Sequence, residues 1–217
     1  MIDRQMAVLA LAAALACGPG TALAAPAEAP PRPAVCPPVA DAASDWELPG
    51  SFGATTTREE LERTYGPDSV HDLEIAASNG AFYHMLTLFP DDPTRRLQFA
   101  VGPDWRVASI SLENAETRWH VGGLRPGISL AELVACNGAP LTFAGFGTLG
   151  SSYLENWNGG RFAAAPGAPY RLLVRLAPRP GAGDAVPTND APLRSDDPAH
   201  PGLGDAVVVE ALILRFP

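Results

Sequence analysis

The stretch GISLAELVACNGAP at residues 127–140 contains a complete set of signals for one short helix. Ser129 and Glu132 have the spacing of a capping box, in which the hydroxyl and the carboxylate each accept a backbone N–H at the helix start. Leucine and valine side chains form an apolar face, and Gly138 followed by Pro140 is typical of a helix end. The stretch predicts a helix of about eight residues, which is too short to be stable unless it packs on another element.

A weaker copy of this pattern, TTTREELERTYGPD, begins 72 residues earlier at Thr55. Thr57 and Glu60 occupy the capping positions, and Gly66 followed by a proline ends the predicted helix. Because the two copies share their start and stop signals, we interpret them as equivalent helices of a duplicated unit.

Four runs of alternating apolar residues follow each predicted helix. In the first half they are SVHDLEIAA, AFYHMLTLF, RRLQFAV and VASISL, with Asn79-Gly80 between the first two. In the second half they are LTFAGF, GTLGSSYLENW, YRLLVRL and VVVEALILRF. Such alternation is typical of half-buried strands, and Asn-Gly is a strong hairpin signal. The sequence predicts an α+β fold of two tandem helix-plus-four-antiparallel-strand units, residues 46–121 and 122–217, with the helices packed on the sheet.

The first 24 residues have the layout of a secretory signal peptide. A charged start precedes the apolar run MAVLALAAALAC, and Ala-Leu-Ala at residues 22–24 forms a small-x-small cleavage site. The run is shorter than the ~20 apolar residues of a membrane-spanning helix. We expect cleavage after Ala24 and a periplasmic or secreted protein with no transmembrane span in the mature chain; the alternative is lipid anchoring at Cys17. Residues 25–45 are rich in proline and alanine, which predicts an extended tether.

The chain of 217 residues has a formal net charge of −9. Binding to nucleic acid and polybasic attachment to anionic lipid both need clustered positive charge, so this balance argues against both. We therefore expect neither nucleic acid nor an anionic lipid surface as a partner.

Two cysteines, Cys36 and Cys136, remain after the predicted cleavage. An even number of cysteines in an oxidising compartment predicts one disulfide, which would join the tether to the second helix. The alternative is a buried, reduced Cys136 and a free thiol at Cys36. A cysteine nucleophile is not indicated, because no recognised motif places a histidine or asparagine beside either thiol.

Residues 177–205 are rich in proline, glycine and aspartate and separate the last two predicted strands. A segment of this length without secondary structure is either functional or disordered, and we interpret it as a solvated loop. Its acids match no calcium-binding spacing and are interpreted as solvated turn residues. They are Asp184, Asp190, Asp196, Asp197 and Asp205.

Motifs of enzyme active sites are missing from the sequence. It contains no HExxH, GxSxG, P-loop or CxxC pattern. His71 and His84 fall on adjacent predicted strands but not opposite one another, which is typical of half-exposed strand histidines. We therefore assign no catalytic, cofactor-binding or metal-binding residue.

Residues 127–140 resemble the G-[MI]-[ST]-x-x-[EQ]-[VL] and G-x-P signature of small bacterial envelope lipoproteins of the SmpA/OmlA type. The matching residues are Gly127, Ser129, Glu132, Leu133, Gly138 and Pro140. The first copy departs from it, since Thr55 replaces the leading glycine and Pro67 directly follows Gly66. The tandem arrangement as a whole is similar to the β-lactamase-inhibitor-protein fold. The resemblance implies a non-enzymatic envelope protein that presents a sheet face to a protein partner, and we expect this partner to be another envelope protein.

The function predicted from the sequence is a non-enzymatic binding or envelope-assembly module. Tyr83 and Met85 on the second strand and Trp157 beside an Asn-Gly turn are its candidate partner-contact residues, since large apolar side chains anchor interfaces. An alternative is an envelope hydrolase that uses the acidic 177–205 loop with His200. A tethered structural lipoprotein is a further alternative.

Overall fold

The computed structural model describes residue 36 and residues 46–76, 82–102, 105–147 and 150–217. The predicted signal peptide and all of the predicted tether except Cys36 lie outside these described residues. The described helices are α1 (Arg58–Tyr65), α2 (Leu130–Asn137) and α3 (Leu203–Ala206). The strands are β1 (Val70–Ala76), β2 (Phe82–Leu88), β3 (Leu97–Val101), β4 (Val107–Leu112), β5 (Thr142–Phe143), β6 (Ser152–Asn156), β7 (Arg171–Pro178), β8 (Leu193–Arg194) and β9 (Val207–Arg215).

The strands form one antiparallel sheet in the order β1-β2-β3-β4-β9-β7-β6-β5-β8. The predicted α+β fold of two tandem helix-plus-four-strand units is therefore wrong, because this is a mainly β fold built on a single nine-stranded sheet. The two halves join where β4 pairs with β9, with Ile110 opposite Leu214. Each of these strands would otherwise leave a row of backbone N–H and C=O groups unpaired. Periodicity identifies strands but does not say which strands pair.

One face of the sheet is buried against the helices. The cross-strand row Leu86, Phe99, Ile110 and Leu214 is at most 2% exposed. All three helices contribute leucines to the same core cluster, and these leucines are Leu61, Leu130, Leu133 and Leu203. The buried helix residues pack on this face and exclude solvent from it, so the hydrophobic core lies between the helices and the sheet.

Residues 177–205 are not the solvated loop that the composition predicts. The segment contributes β8, which pairs with β5, and most of α3. Its apolar residues Val186, Leu193 and Leu203 are buried in the core cluster. Three apolar side chains spaced by prolines and glycines have no period, so the sequence offers no sign that they enter the core.

The two helix starts differ in how completely they are capped. In α2, the Ser129 hydroxyl accepts the Glu132 N–H at 3.1 Å, and the Glu132 carboxylate accepts the Ser129 N–H at 2.7 Å. In α1, the Thr57 hydroxyl accepts the Glu60 N–H at 3.3 Å, whereas the Glu60 carboxylate lies 3.8 Å from the Arg63 guanidinium. The capping box is thus reciprocal only in α2.

Within the described residues, no helix combines the length and the apolar character needed to cross a membrane.

Candidate functional site

The second face of the sheet carries a continuous surface that we call the open face. One cross-strand row on it is Leu73, Met85, Ala100, Ser109, Arg215 and Arg171. The next row is His71, Thr87, Gln98, Ser111, Ile213 and Leu173. Directly opposed residues of neighbouring strands share a face, so these side chains lie together. The rows run from apolar side chains on β1 and β2, through small polar residues, to arginines on β9 and β7.

Large exposed apolar side chains concentrate where β1 and β2 meet their hairpin. Leu73, Ile75 and Tyr83 lie on the open face and are 56%, 38% and 55% exposed. Phe82 and Trp105 lie at the same end of the sheet on its other side, at 62% and 54%. We call these five residues the apolar corner. Ile75 and Tyr83 are direct cross-strand partners, and Leu73 shares their face. Isolated exposed apolar residues are normal, but adjacent ones such as these mark interaction sites.

Strand β1 is an edge of the sheet. It pairs only with β2, and its outer side has no strand partner in the described part of the chain. All of its residues after Val70 are exposed, and it contains neither proline nor lysine. Edge strands are usually blunted by such residues or by charges, and β1 carries charges only on its helix-facing side, at Asp72 and Glu74. Its outer row of backbone donors and acceptors has no strand partner within the described residues.

The side of β1 that faces α1 is held by charged contacts. The Asp72 carboxylate lies 3.4 Å from the Arg58 guanidinium and 3.4 Å from Nδ1 of His84. The His84 ring in turn stacks on Trp105, with ring centroids 4.3 Å apart. These contacts link the edge strand β1 to α1 and to the β3–β4 turn. They hold β1, β2 and Trp105 of the apolar corner in fixed relative positions.

The candidate contact residues from the sequence separate in space. Tyr83 belongs to the apolar corner, and Met85 lies beside Leu73 on the open face. Trp157 is half-buried elsewhere, with its ring 5.4 Å from that of Phe162 and its carbonyl accepting a hydrogen bond from the Asn137 side chain. Trp157 therefore packs on its own connection between β6 and β7.

The remaining corner residues were not identified from the sequence. Alternation in SVHDLEIAA does place Leu73 and Ile75 on one face, but periodicity cannot show whether that face is covered. Phe82 belongs to the alternating run AFYHMLTLF, whose pattern does not show which face is covered, and Trp105 carries no pattern of its own. The signal available in the sequence was that SVHDLEIAA and AFYHMLTLF, joined by one hairpin turn, carry apolar residues on both faces. A single short helix can cover only one of these faces.

The predicted disulfide between Cys36 and Cys136 is present. Arg161 donates to the Cys36 sulfur at 3.3 Å, so the 36–136 junction also contacts the β6–β7 connection. This junction anchors residue 36 to the last turn of α2, where Cys136 is fully buried.

A buried histidine lies near this junction. His120 is 5% exposed, and its Nδ1 lies 2.7 Å from Oε2 of Glu47 without the alignment of a hydrogen bond. Nε2 has no hydrogen-bond partner in the described part of the chain. No contact within the described ranges places a nucleophilic side chain against this imidazole and carboxylate.

The acids of the 177–205 segment serve local structure. Asp196 pairs with Arg194 through two hydrogen bonds of 2.9 and 3.0 Å, and this guanidinium lowers the pKa of the Asp196 carboxyl. Asp197 accepts the Ala199 N–H. Among the described residues, no group of three or more histidine, cysteine or acidic side chains is arranged to hold a metal ion.

No protein-family model matches this chain, and no curated protein or solved structure matches it. The resemblance to envelope lipoproteins stays a prediction from the short motif.

Proposed function

We propose that this chain is a binding or assembly module of the bacterial envelope that holds another protein at the apolar corner and along the edge of β1. The observation that carries the proposal is the concentration of five large, exposed apolar side chains at one end of the sheet. Covering such a patch is favourable by roughly 25 cal/mol for each Å² of apolar surface removed from water.

The occupant is an extended segment of the partner that adds beside β1 as a further strand. Strand addition uses main-chain hydrogen bonds for affinity and alternate side chains for specificity. Leu73 and Ile75 project to the open face from every second position of β1, so apolar side chains at alternate positions of the partner strand would lie beside them. Asp72 and Glu74 project to the other side, which favours basic or polar residues at the intervening partner positions.

The compartment is inferred separately. A disulfide forms and persists in secreted and periplasmic proteins, so the Cys36–Cys136 bond supports export to the envelope. Cleavage after Ala24 and lipid attachment at Cys17 would give mature chains of different mass. Mass spectrometry of the exported protein therefore distinguishes the two alternatives.

The test is site-specific photo-cross-linking in envelope extract from two matched tyrosine positions. Tyr83 lies in the apolar corner, and Tyr153 is 48% exposed near the opposite end of the sheet. Benzoylphenylalanine at position 83 should give one defined adduct with a different protein, and the same probe at position 153 should not. Equal labelling from both positions, no adduct, or an adduct with a second copy of this chain would each overturn the proposal.

The partner identified by mass spectrometry is then purified and tested directly. Ile75→Glu should weaken its binding by more than about tenfold, because it places a charge in the centre of the contact. Tyr153→Glu is the matched control and should leave the affinity unchanged. On addition of the partner, amide hydrogen exchange should slow in β1 and remain unchanged in β7. Slower exchange in other strands with no change in β1 would contradict strand addition.

A further inference from the structure

An open cavity of about 780 Å³ lies on the open face of the sheet, separated from the apolar corner by strands β3 and β4. It is bounded by the ends of β7 and β9 and by the loop at residues 164–168. Pockets that bind small molecules in proteins have volumes of about 300–1,000 Å³, so this one has the size of a small-molecule site.

Two arginines line the cavity without a carboxylate partner. Arg171 and Arg215 are direct cross-strand partners on β7 and β9, and both are exposed. No acidic side chain of the described residues forms an ion pair with either. Like charges placed directly opposite one another in a sheet repel, so this pair favours an anion between or above the two guanidinium groups.

A third arginine on the same strands, Arg175, does have carboxylate partners, unlike Arg171 and Arg215. Arg175 lies further along β7, at the fourth residue after Arg171. Its guanidinium is 2.7 Å from the Glu210 carboxylate and 3.6 Å from the Glu113 carboxylate. The chain as a whole is acidic, with a net charge of −9. Arg171 and Arg215 therefore present positive charge without a side-chain carboxylate partner among the described residues, in a protein whose net charge otherwise repels anions.

The rest of the cavity wall is mainly apolar. Leu173, Phe216, Tyr170 and the alanine- and proline-rich loop line it. Burial raises the pKa of the Tyr170 phenol, and the carboxylate of Glu47 raises it further, so this ring is uncharged at neutral pH. The wall thus pairs an apolar surface with two guanidinium forks, each of which binds a carboxylate or phosphate through two parallel hydrogen bonds.

We propose that this cavity binds an amphiphilic anion, a carboxylate or phosphate carried on an apolar body. Arg171 and Arg215 hold the anionic group, and Leu173 and Phe216 cover the apolar part. The site does not depend on the protein partner, because none of its lining residues belongs to the apolar corner.

The test is a titration of the isotope-labelled full chain, followed by the amide chemical shifts of β7 and β9. The probes are octanoate, octyl phosphate, 1-octanol and inorganic phosphate. Octanoate and octyl phosphate should both bind and shift these amides, and 1-octanol and inorganic phosphate should bind at least about tenfold more weakly. Equal binding of 1-octanol and octanoate would overturn the role of the arginines. Equal binding of inorganic and octyl phosphate would overturn the role of the apolar wall.

Variants assign the binding to these residues. Arg171→Gln and Arg215→Gln should each weaken octyl phosphate binding by about tenfold. Arg171→Lys should restore part of the loss, because it keeps the charge but not the fork. Arg63→Gln, at an exposed arginine of α1, is the matched control and should bind like the wild type. Unchanged binding in the Arg171→Gln/Arg215→Gln double variant, with an unchanged thermal unfolding temperature, contradicts the proposal.

Discussion

The helices α1 and α2 are both eight residues long and both begin with a hydroxyl residue three positions before a glutamate, but they are held in the protein in different ways. α1 fully buries only Leu61, while Tyr65 is partly buried against Phe52 and Phe89. α2 buries four residues, which are Leu130, Leu133, Cys136 and Asn137. The same local signal therefore begins a peripheral helix in one half and a central one in the other.

The C-terminal turn of α2 also organises chain that is distant in sequence. The Asn137 side chain donates to the carbonyls of Ala139 and Trp157 at 3.0 and 2.9 Å and accepts the Phe162 N–H. Cys136 beside it forms the disulfide. The comparison teaches that a capping pattern specifies where a helix begins, while the buried face decides how much of the fold depends on it.

The largest expected difference between the helices comes from the disulfide. The bond closes a loop with a sequence separation of 100, so Cys36→Ser/Cys136→Ser should lower the free energy of unfolding by about 2–5 kcal/mol. Urea denaturation of the variant, and of the wild type with and without reductant, measures this loss. Amide exchange should accelerate in α2 more than in α1; an equal acceleration would mean that the bond stabilises the whole sheet rather than α2.

Asn137→Ala is expected to have the next largest effect. It removes a buried side chain with three hydrogen bonds and takes away the partners of the Ala139 carbonyl and the Phe162 N–H, which should cost about 1–3 kcal/mol of unfolding free energy. Asn137→Asp is the control that keeps the size and the acceptor but loses the donor, and we expect it to be destabilised as well. A wild-type midpoint in urea for Asn137→Ala would show that water replaces these bonds.

The two caps give a smaller and directly matched difference. Ser129→Ala breaks a reciprocal box and should cost about 1–2 kcal/mol, whereas Thr57→Ala breaks one long hydrogen bond and should cost about 0.5 kcal/mol. Chemical denaturation of both variants measures the ratio. Equal losses would mean that the Glu132 carboxylate does not strengthen the cap.

The smallest effect is a dependence on acid pH that arises at α2. Hydrogen bonds from the Ser129 backbone N–H and then from its hydroxyl lower the pKa of the Glu132 carboxyl. A pKa that is lower in the folded state gives stability above the unfolded value, near 4.3, and this stability is lost as the pH falls through the folded value. Glu132→Gln should remove this part of the acid dependence in denaturation curves between about pH 3 and 6. Thr57→Ala, which affects only the other cap, should keep it.

Features that depend on neighbouring residues could be predicted from the sequence. The helix starts at Thr57 and Ser129 follow from side chains that bond backbone groups three residues away. The inward positions of β3, Leu97, Phe99 and Val101, follow from alternation and are buried. In each case the partner lies within one turn or one strand, so the local pattern contains the relevant contact.

Features that depend on distant pairing could not be predicted. The β4–β9 pairing that merges two expected units into one sheet joins residues about 100 positions apart, and either strand could have remained an edge. Alternation groups Leu73 with Ile75, but only the order of the strands places them on an uncovered face. The arginines of the cavity meet because β7 lies next to β9, which no spacing in the sequence indicates.

The sequence by itself determined the two capped helices, the alternation of the strands and the single pair of cysteines, because these depend on short-range chemistry. The tertiary structure alone decided that the strands form one nine-stranded sheet, that residues 177–205 enter the core, and that an apolar corner at β1 and β2 and an arginine pair on β7 and β9 remain exposed. The physical reason is that backbone pairing and burial are satisfied over the whole chain at once. Many pairings are compatible with each local pattern, and only their combination leaves particular surfaces uncovered.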